Sequence, residues 1–541
     1  MHACLCRGGR PGQPCRGRKA KATGTTIGPT PSLSPLNHHH PFSYLIPGGS
    51  GGAFLRNGFT FDVGASMMFG LAPGLDRGST NLITRALAAV GQAAETVPDP
   101  TQIHYHLPPS PAHPAGLEVK VWRDFDAFIA ELTAAFPAER AGIANFYGEC
   151  WRVFNALNAL ELKSLEEPAY LLGQFGRRPG ACLTLASFVA TNAGDVARRH
   201  ITDPELLRFI DMECYCWSTV DAGLTPMINA GMVFCDRHWG GINYPVGGTG
   251  VLADKLAEGL VGRGGAIEYG TRVTGVVVDG ASGAATGVTT ADGRTFRAKA
   301  VISNATRWDT FDRLVPASAT PPEEASFRAK YKKAPSFFSM HLGVRADALP
   351  PGTECHHIIC EDWGKMEDAL GTLFVSIPSL LDPSLCPPGT HVFHAFTPDW
   401  VDAWPVKADD PAGYEAAKEA AADAFVARLE AIFPGLKAAT LFREVGTPRT
   451  HRRFLGRVDG SYGPIPAKRL AGMLAMPMAR TGLKGLYCAG DSTFPGQGVN
   501  AVVFSGVGCA HRVLADLGRV PTLPGVDGAF NALLRAAREW A

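Results

Sequence analysis

The spacing of apolar and polar residues changes several times along the chain, and each change predicts a different element. Residues 80–94, TNLITRALAAVGQAA, carry apolar side chains every three or four positions, which predicts an amphipathic helix. Residues 101–108, TQIHYHLP, alternate and predict a strand that places His104 and His106 on one face. Residues 119–235 are mostly helical in pattern, so we expect them to form an inserted cap domain.

A second pattern begins near residue 245, where a glycine-rich turn precedes a predicted helix that starts at about Val251 and stops at 264–265. An Asp-Gly pair at 292–293 then predicts a hairpin, and residues 300–303 predict a buried strand. Strands that alternate with helices in this way are typical of a doubly wound α/β sheet.

The last part of the chain repeats this alternation. Residues 320–470 mix strands with a helix at 411–432. Residues 484–518 predict a short strand, a loop rich in Gly and Pro, and a long helix. Residues 521–541 predict a linker and one amphipathic helix. The chain of 541 residues is thus long enough for two or three domains.

Composition narrows the choice of partner. Hydrophobic residues make up 46% of the chain, charged residues 19%, and the formal net charge is +1. Without a basic field, nucleic acid is excluded as the main partner, whereas an apolar or membrane-borne substrate fits. The sequence contains no apolar run of 18 residues, so we expect any membrane contact to be peripheral.

Cysteine and histidine patterns predict neither a disulfide framework nor a metal. The 13 cysteines include no C-x-x-C pair, which favours a reducing compartment. His104 and His106 have metal-ligand spacing, but a solvated or hydrogen-bonded strand face is the more common meaning of such a pair. The run 38–40, three adjacent histidines, has no predicted scaffold around it. We therefore expect no metal site.

The first 61 residues contain no Asp or Glu, and residues 7–21 carry six Arg or Lys. Acid-poor, basic N-termini are typical of organelle transit peptides. A disordered start explains the same composition, because the segment is rich in Gly and Pro and lacks an amphipathic helix.

The strongest motif lies near the C-terminus. An apolar strand ends in Gly490-Asp491, which places the carboxylate at the carboxyl end of a strand, where doubly wound sheets bind ligands. The loop 495–499, Pro-Gly-Gln-Gly-Val, then opens a helix, whose free N–H groups suit the electron-rich edge of a reduced flavin. An ordinary strand–loop–helix turn remains the alternative for this motif alone.

Other segments add to this motif in a fixed order. The complete set of predicted cofactor-binding residues is Pro47, Gly48, Gly49, Ser50, Gly64, Ala65, Ser66, Val273, Asn304, Ala305, Gly490, Asp491, Pro495, Gly496, Gln497, Gly498 and Val499.

On these residues the chain, from 44 to about 518, resembles the carotenoid cis–trans isomerase branch of the phytoene-desaturase-like flavoproteins. The motifs that carry the resemblance are FDVGAS, NLITRALAAVG, FYGECW, LKSLEEP, TPMINAGMV, CDRHWGGINYPVGG, SNATRWDTF, EVGTPRTHRR and FPGQGV. Generic flavin folds do not share so many of them.

The resemblance implies a Rossmann-like FAD-binding domain with an inserted α+β substrate domain. It implies conversion of poly-cis lycopene to all-trans lycopene in plastids, with reduced FAD and no net redox change. Residues 47–50 and 64–66 would line the pyrophosphate and isoalloxazine, Val273 would meet the adenine, Asp491 would hold the ribityl chain, and 496–499 would face the ring.

The substrate would be an apolar carotenoid at a peripheral plastid membrane. Candidate walls of its tunnel are the aromatic and Met-rich stretches 209–235 and 335–344, for which plain hydrophobic core is the alternative. The sequence identifies no acid–base residue and no electron donor.

The predicted domain boundaries follow from the sequence pattern and from this resemblance. We predict a disordered or transit-like leader at 1–43, FAD-binding segments at 44–100, 245–320 and 471–520, substrate-domain segments at 101–244 and 321–470, and a tail helix at 521–541.

One family feature is not found in this sequence. The family opens with a strand, a G-x-G-x-x-G turn and a helix, whereas the match here begins at Tyr44. The glycines of 5–17, LCRGGRPGQPCRG, are expected to have no strand before them and no helix after them. Loss of two or three N–H donors to the pyrophosphate would cost about 3–9 kcal/mol of binding.

Two explanations compete for this gap. Either the true N-terminus is absent from the sequence, or the chain is a flavin-poor relative; we favour the first, because the downstream flavin loops are intact. Two other functions stay open at this stage. One is an FAD-dependent desaturase or retinol saturase, and the other is a non-catalytic carotenoid- or lipid-binding protein.

Overall fold

The computed structural model describes residues 4–5, 47–64 and 66–541, and every structural statement below refers to these residues. Apart from Cys4 and Leu5, the predicted leader, the histidines at 38–40 and the start of the family match at Tyr44 lie outside them, as does Ala65. Predictions about those residues are therefore not tested.

The first part of the chain is dominated by short strands. In order, it forms β1 (Cys4–Leu5), β2 (Ala53–Arg56), β3 (Phe59–Asp62), α1 (Leu82–Ala89), β4 (Thr96–Pro98), β5 (Thr101–Leu107) and β6 (Leu117–Trp122). A two-residue turn, Asn57-Gly58, joins β2 to β3; both residues have positive φ, as a type I′ hairpin turn requires.

A block of helices follows. It contains α2 (Phe125–Ala135), α3 (Arg140–Ala159), α4 (Pro168–Arg177), α5 (Pro179–Phe188), α6 (Ala193–His200), α7 (Pro204–Ser218) and α8 (Met227–Trp239). The predicted helical pattern over 119–235 is confirmed except at its start, where β6 continues to Trp122. There, the alternation of LEVKVW pairs β6 with β5 in an antiparallel ladder.

The middle of the chain alternates strands and helices as predicted. It forms β7 (Asn243–Pro245), α9 (Gly250–Gly262), β8 (Ala266–Ile267), β9 (Val273–Val278), β10 (Ala285–Thr290), β11 (Thr295–Arg297), β12 (Val301–Ser303), α10 (Arg307–Asp309) and α11 (Glu323–Lys330). The hairpin predicted at 292–293 joins β10 to β11.

The C-terminal part contains the remaining elements. These are β13 (Tyr331–Lys333), β14 (Ser336–Arg345), β15 (His356–Ile359), β16 (Leu373–Ser376), β17 (Thr390–Asp399), α12 (Pro411–Leu429), α13 (Leu436–Ala439), β18 (Thr440–Gly446), α14 (Pro448–Leu455), β19 (Pro464–Pro466), β20 (Leu486–Cys488), α15 (Val499–Asp516) and α16 (Pro524–Trp540).

A seven-stranded sheet in the order β18-β14-β17-β16-β15-β5-β6 separates two apolar cores. Helices of the α2–α8 block pack on one face, the cap face, where Tyr105 and Ile358 are buried. Helix α12 packs on the other face, the α12 face, against Phe338 and Val375. All pairs are antiparallel except β15 with β5, which joins two segments about 250 residues apart in sequence.

A buried ion pair holds the cap helices together. Arg237 of α8 donates from Nη1 to Glu213 of α7 at 2.9 Å, and the Tyr105 hydroxyl donates to the same carboxylate at 2.6 Å. Both charged side chains are completely buried, so the pair compensates for its lost hydration by these hydrogen bonds. The contact fixes α7 and α8 against β5.

The nucleotide-binding region is built from smaller sheets. Strands β12 and β20 pair in parallel, and a three-stranded antiparallel sheet β11-β10-β9 shares their apolar core. The expectation that no strand precedes the glycines of 5–17 is wrong, since β1 pairs with β8. That pair is antiparallel, so β1 is not the parallel first strand of a dinucleotide-binding unit.

No helix among the described residues is long and apolar enough to cross a membrane.

Candidate functional site

The first predicted cofactor loop, Pro47 to Ser50, packs against the start of helix α9. Gly48 has φ 104°, and a Cβ there would lie 3.0 Å from the Cβ of Ala253, so only glycine fits this turn. A Cβ on Gly64 would likewise lie 2.5 Å from the carbonyl oxygen of Ser50. The loop 47–50 and Gly64 therefore lie in backbone contact.

Asp62 fixes these loops, and sequence reasoning did not single it out. Its carboxylate accepts from the backbone N–H and the hydroxyl of Thr249, both at 2.9 Å, from Ser66 at 2.8 Å and from Tyr244 at 2.9 Å. Burial raises the pKa of the Asp62 carboxyl, and the hydrogen bond from the Thr249 N–H opposes that effect. The sequence signal was its place in FDVGAS, directly between the two loops.

The C-terminal motif forms as predicted at the ends of β12 and β20. Asn304 donates from Nδ2 to the carbonyl of Ala489 at 3.1 Å, next to Gly490, whose φ is 104°. The backbone N–H of Gly490 donates to the Ser505 hydroxyl of α15 at 3.1 Å. Asn304, Ala305 and Gly490 therefore meet at the carboxyl edge of the parallel pair.

The carboxylate of Asp491 is already engaged by this chain. It forms an ion pair with Arg457, whose Nε also donates to the carbonyl of Ser461 at 2.7 Å. The Asp491 carboxylate would therefore accept a hydrogen bond from a ribityl hydroxyl while the Arg457 guanidinium neutralises its charge. Sequence reasoning did not predict Arg457 as a partner of Asp491.

The loop 495–499 leads into the N-terminus of α15. Gly498 has φ 100°, is exposed, and has no atom within 4 Å of the position of a Cβ. Gln497 donates from Nε2 to the Thr219 hydroxyl at the end of α7, at 3.2 Å. Val499 packs with Met68 and Leu71, which follow β3, in one apolar cluster. The last predicted cofactor segment therefore contacts the chain just after Ser66.

Val273 lies apart from these loops. Its side chain is buried in the core shared by β9, β10, β12 and β20, and its backbone faces Thr290 across the β9–β10 pair. Its predicted role at the adenine stays a prediction, as do the roles of the other cofactor residues.

The described residues fit a flavin on the C-terminal side of the site. The hydroxyl of Thr493 and Oδ1 of Asn500 are buried and have no hydrogen-bond partner within the described chain. Buried polar atoms usually have partners, so these two mark the side on which a polar ligand would bind. Asn500 lies in the first turn of α15, whose first N–H groups have no partner within the helix.

A half-buried aromatic group borders this loop. The rings of Phe69 and Trp217 meet edge to face with centroids 5.2 Å apart, and Phe494 packs between the cap core and the core around Trp308. Of the proposed tunnel wall at 209–235, Phe209 and Met212 are completely buried core, whereas Trp217 is only half-buried at the border of that core. Phe69 and Phe494 were not predicted as wall residues.

Three buried imidazoles lie on the cap face of the sheet, next to the β2–β3 hairpin; we call His341, His394 and His451 the inner histidine cluster. His341 Nε2 lies 3.1 Å from the carbonyl oxygen of Asp62 and stacks on His394 with centroids 4.6 Å apart. His451 Nε2 lies 3.1 Å from the Ser339 hydroxyl. Burial lowers the pKa of His341 to about 4 and of His451 to about 3, so all are neutral near pH 7.

With this geometry in place, comparison with known proteins is informative. Residues 47–514 match the family described as flavin containing amine oxidoreductase. The structure resembles that of putrescine oxidase bound to putrescine, with a TM-score of 0.54. The sequences are 14% identical, and the match covers 88% of this chain and 93% of that one, so the likeness concerns the fold alone.

The chain therefore belongs to the flavin containing amine oxidoreductases, and the predicted Rossmann-like fold and FAD cofactor are confirmed. Within that class, it is 56% identical over 477 residues to prolycopene isomerase, chloroplastic, of Arabidopsis thaliana, covering 88% of this chain and 78% of that protein. The corresponding protein of Daucus carota is 54% identical over 493 residues, 91% of this chain and 78% of its own length. The predicted family is thereby confirmed.

Proposed function

We propose that this chain isomerises poly-cis lycopene to all-trans lycopene in plastids, using reduced FAD without net redox change. One observation carries the proposal: more than half of the residues are identical to named prolycopene isomerases across about nine-tenths of the chain. The family match over residues 47–514 includes every described cofactor loop. The plastid location rests on the chloroplastic names of these relatives.

The bound reduced flavin would supply transient electron or proton transfer to the polyene, which lowers its double-bond character and so its barrier to rotation. Gly490 and Asp491 would hold the ribityl side, and Gly496 to Val499 would line the ring. Pro47 to Ser50, with Gly64 and Ser66, would line the pyrophosphate. Asp62 keeps these two pyrophosphate segments in position through its hydrogen bonds with Thr249 and Ser66.

Phe69, Trp217 and Phe494 would contact the apolar substrate beside the loop. Aromatic faces bind a flat polyene by dispersion and exclude water from it. The Gln497–Thr219 hydrogen bond keeps the end of α7 next to the loop, so these rings stay close to the cofactor side.

We also propose that helices α4 and α5 rest on the plastid membrane. Leu172 and Phe175 lie three residues apart on α4 and are 59% and 48% exposed, and Leu183 of α5 is 61% exposed. Arg177 and Arg178 are exposed between the two helices. Apolar side chains flanked by arginines suit an anionic lipid surface.

The function is tested first by flavin content. We expect the purified full chain to bind about one FAD and, once reduced under nitrogen, to convert prolycopene to all-trans lycopene with an unchanged number of conjugated double bonds. A product with more or fewer double bonds would identify a desaturase or saturase instead. Bound carotenoid without any product would identify a binding protein.

Two glycines of α15 and its N-terminal loop provide a matched pair. Gly498→Ala adds a methyl group where φ is 100° and where the ring side is open, so we expect weaker FAD binding and lower activity. Gly506→Ala adds the same methyl group at an exposed helical position with equally free space, and we expect both properties to stay at wild-type levels. Equal flavin retention in the two variants would contradict the placement of the ring.

The membrane proposal has its own test. Vesicles of galactolipid and phosphatidylglycerol should bind the wild-type chain, and the pair Leu172→Ser with Phe175→Ser should bind at least tenfold less, because each side chain contributes about 1.5–3 kcal/mol on burial. Leu441→Ser, at a 57% exposed position on β18, is the control. Equal binding of the two variants would refute the assignment to α4 and α5.

A further inference from the structure

Three imidazoles meet on the α12 face of the sheet, where β5 lies parallel to β15; we call His104, His106 and His357 the outer histidine cluster. His104 and His106 alternate on β5, and His357 is paired in register with His104. Ring centroids lie 4.1 Å apart for His104 and His106 and 5.3 Å apart for His106 and His357. One nitrogen from each ring lies within 4.8 Å of the other two.

The hydrogen bonds of the outer cluster leave ring nitrogens free on its inside. His104 Nδ1 lies 3.2 Å from Oε2 of Glu354, and His357 Nε2 lies 2.9 Å from the carbonyl oxygen of Glu354. Metal-binding histidines are typically oriented in this way, with the second nitrogen donating to a carboxylate or a carbonyl. His104 Nε2 then has no hydrogen-bond partner in the described chain, although the side chain is only 9% exposed.

A carboxylate faces these free nitrogens. Glu118, opposite His106 on β6, has one oxygen 3.4 Å from His104 Nε2 and the other 3.5 Å from His106 Nδ1. The other carboxylate nearby, on Glu354, is already paired with Lys120 at 2.5 Å. Glu118 therefore directs a negative charge at imidazole nitrogens and not at a cationic side chain.

The protonation state of the rings supports ligation. Burial, together with a smaller effect of the neighbouring imidazoles, lowers the pKa of His106 to about 4 and of His357 to about 3. Near pH 7 both rings are neutral and carry a lone pair, which is the form that binds a metal ion.

We propose that His104, His106, His357 and Glu118 bind one divalent transition-metal ion of the zinc class. Imidazole nitrogens and carboxylate oxygens are both ligands of Zn²⁺, which is usually tetrahedral in proteins, with metal–nitrogen distances of about 2.0–2.1 Å. The 3.0 Å contact between His106 Nε2 and His357 Nδ1 would open on binding, and rotation of the rings would bring the nitrogens to the ion.

Such an ion would have a structural role. Its ligands come from β6, β5 and β15, so it would cross-link the parallel pair through which segment 101–122 joins the rest of the sheet. None of the four residues contacts a predicted cofactor loop. We therefore expect metal loading to change stability and not the isomerase reaction.

Zinc binding to the full chain tests the inference. After dialysis against buffered Zn²⁺, we expect about one zinc per chain by mass spectrometry, and the Co²⁺-loaded chain should show the visible d–d bands of tetrahedral cobalt. His357→Gln should weaken zinc affinity by at least about 100-fold, because it removes a direct ligand, whereas altered outer-shell partners alone cost about 10–100-fold.

Two further variants keep the result interpretable. Glu118→Gln changes a side chain that is 68% exposed, so it should fold normally and still weaken zinc binding by at least about tenfold. His113→Gln is the control, because His113 also faces a carboxylate, Glu205 at 3.0 Å, without further imidazoles. Wild type that binds no zinc, or variants at 118 and 357 that bind it as the His113→Gln control does, would overturn the inference.

Discussion

The two histidine clusters lie on opposite faces of the same seven-stranded sheet and differ in what surrounds them. Each contains three largely buried imidazoles, and burial lowers the pKa in both. The inner cluster is enclosed by aromatic rings, Phe54 and Phe61, and its polar contacts are a backbone carbonyl and hydroxyl groups. The outer cluster faces the carboxylates of Glu118 and Glu354.

This difference shows that burial alone does not define a ligand site. Neutral rings without a nearby anion pack as polar aromatics, and His341 links the Asp62 carbonyl of β3 to the sheet. The same rings beside an unpaired carboxylate form a set that a cation would complete. Four changes of decreasing size separate these two cases.

The largest effect should come from acidification of the inner cluster. The unfolded chain binds a proton at His341 below about pH 6.5, whereas the folded chain binds it only near pH 4, so the free energy of unfolding should fall as pH falls through this window. The loss is about 3 kcal/mol for this residue. Urea unfolding of wild type and His341→Gln at several pH values measures it as a difference in slope.

The comparison with His341→Gln is needed because other titratable groups change the free energy of unfolding in the opposite direction as pH falls. Burial raises the pKa of Asp99 to about 7, so that carboxyl favours the folded chain as pH falls. Asp99 is present in both proteins and cancels. Identical slopes would mean that His341 keeps its ordinary pKa despite its burial against His394 and the Asp62 carbonyl.

Zinc should give the next effect, confined to the outer cluster. At a free zinc concentration of about 100 times Kd, binding to the folded chain should stabilise it by about 2.7 kcal/mol, seen as a higher Tm. His357→Gln should lose this response, whereas the inner-cluster variant His341→Gln should keep it. If His341→Gln lost the zinc-induced rise in Tm and His357→Gln kept it, the metal site would belong to the inner cluster and not to the outer one.

A single hydrogen bond of the inner cluster should contribute less. Ser339→Ala removes the partner of His451 Nε2, while Tyr462 still contacts Nδ1, and should lower the free energy of unfolding by about 1 kcal/mol. Ser336→Ala, on the same strand, is the control, because its buried hydroxyl makes no hydrogen bond in the described chain. We expect that control to equal or exceed wild type in denaturant unfolding.

The smallest effect should be that of Glu118→Gln without metal. The side chain is largely exposed, so the free energy of unfolding should change by less than about 0.5 kcal/mol in the presence of a chelator. The two proteins should then diverge when zinc is added. A large loss already in chelator would mean that Glu118 stabilises the cluster without a metal.

Local sequence was enough to predict much of the fold and the cofactor loops. Apolar periodicity predicted α1, the local sequence pattern also predicted α9, α12 and α15, and glycines at forced turns, such as Gly48 and Gly490, marked the loops. These features depend on neighbours in sequence, since a positive φ or an amphipathic face is encoded within a few residues.

What could not be predicted depends on contacts between distant segments. The alternation of LEVKVW was present, yet the adjoining helical pattern masked β6. His104 and His106 were recognised as one face of a strand, but His357 joins them only through the β5–β15 pair. Arg457 at Asp491 and the four donors at Asp62 are likewise products of the fold. Local periodicity carries no information about such pairs.

The parallel pairing of β5 with β15 also affects folding during synthesis. Its two strands are about 250 residues apart, so at roughly 5–20 residues per second of synthesis the hairpin of β5 and β6 would wait about 12–50 s for its partner. During that interval the N–H and C=O groups on the unpaired edge of β5 are open to other strands. The nascent chain should therefore depend on chaperones most strongly between the synthesis of Trp122 and that of Ile359.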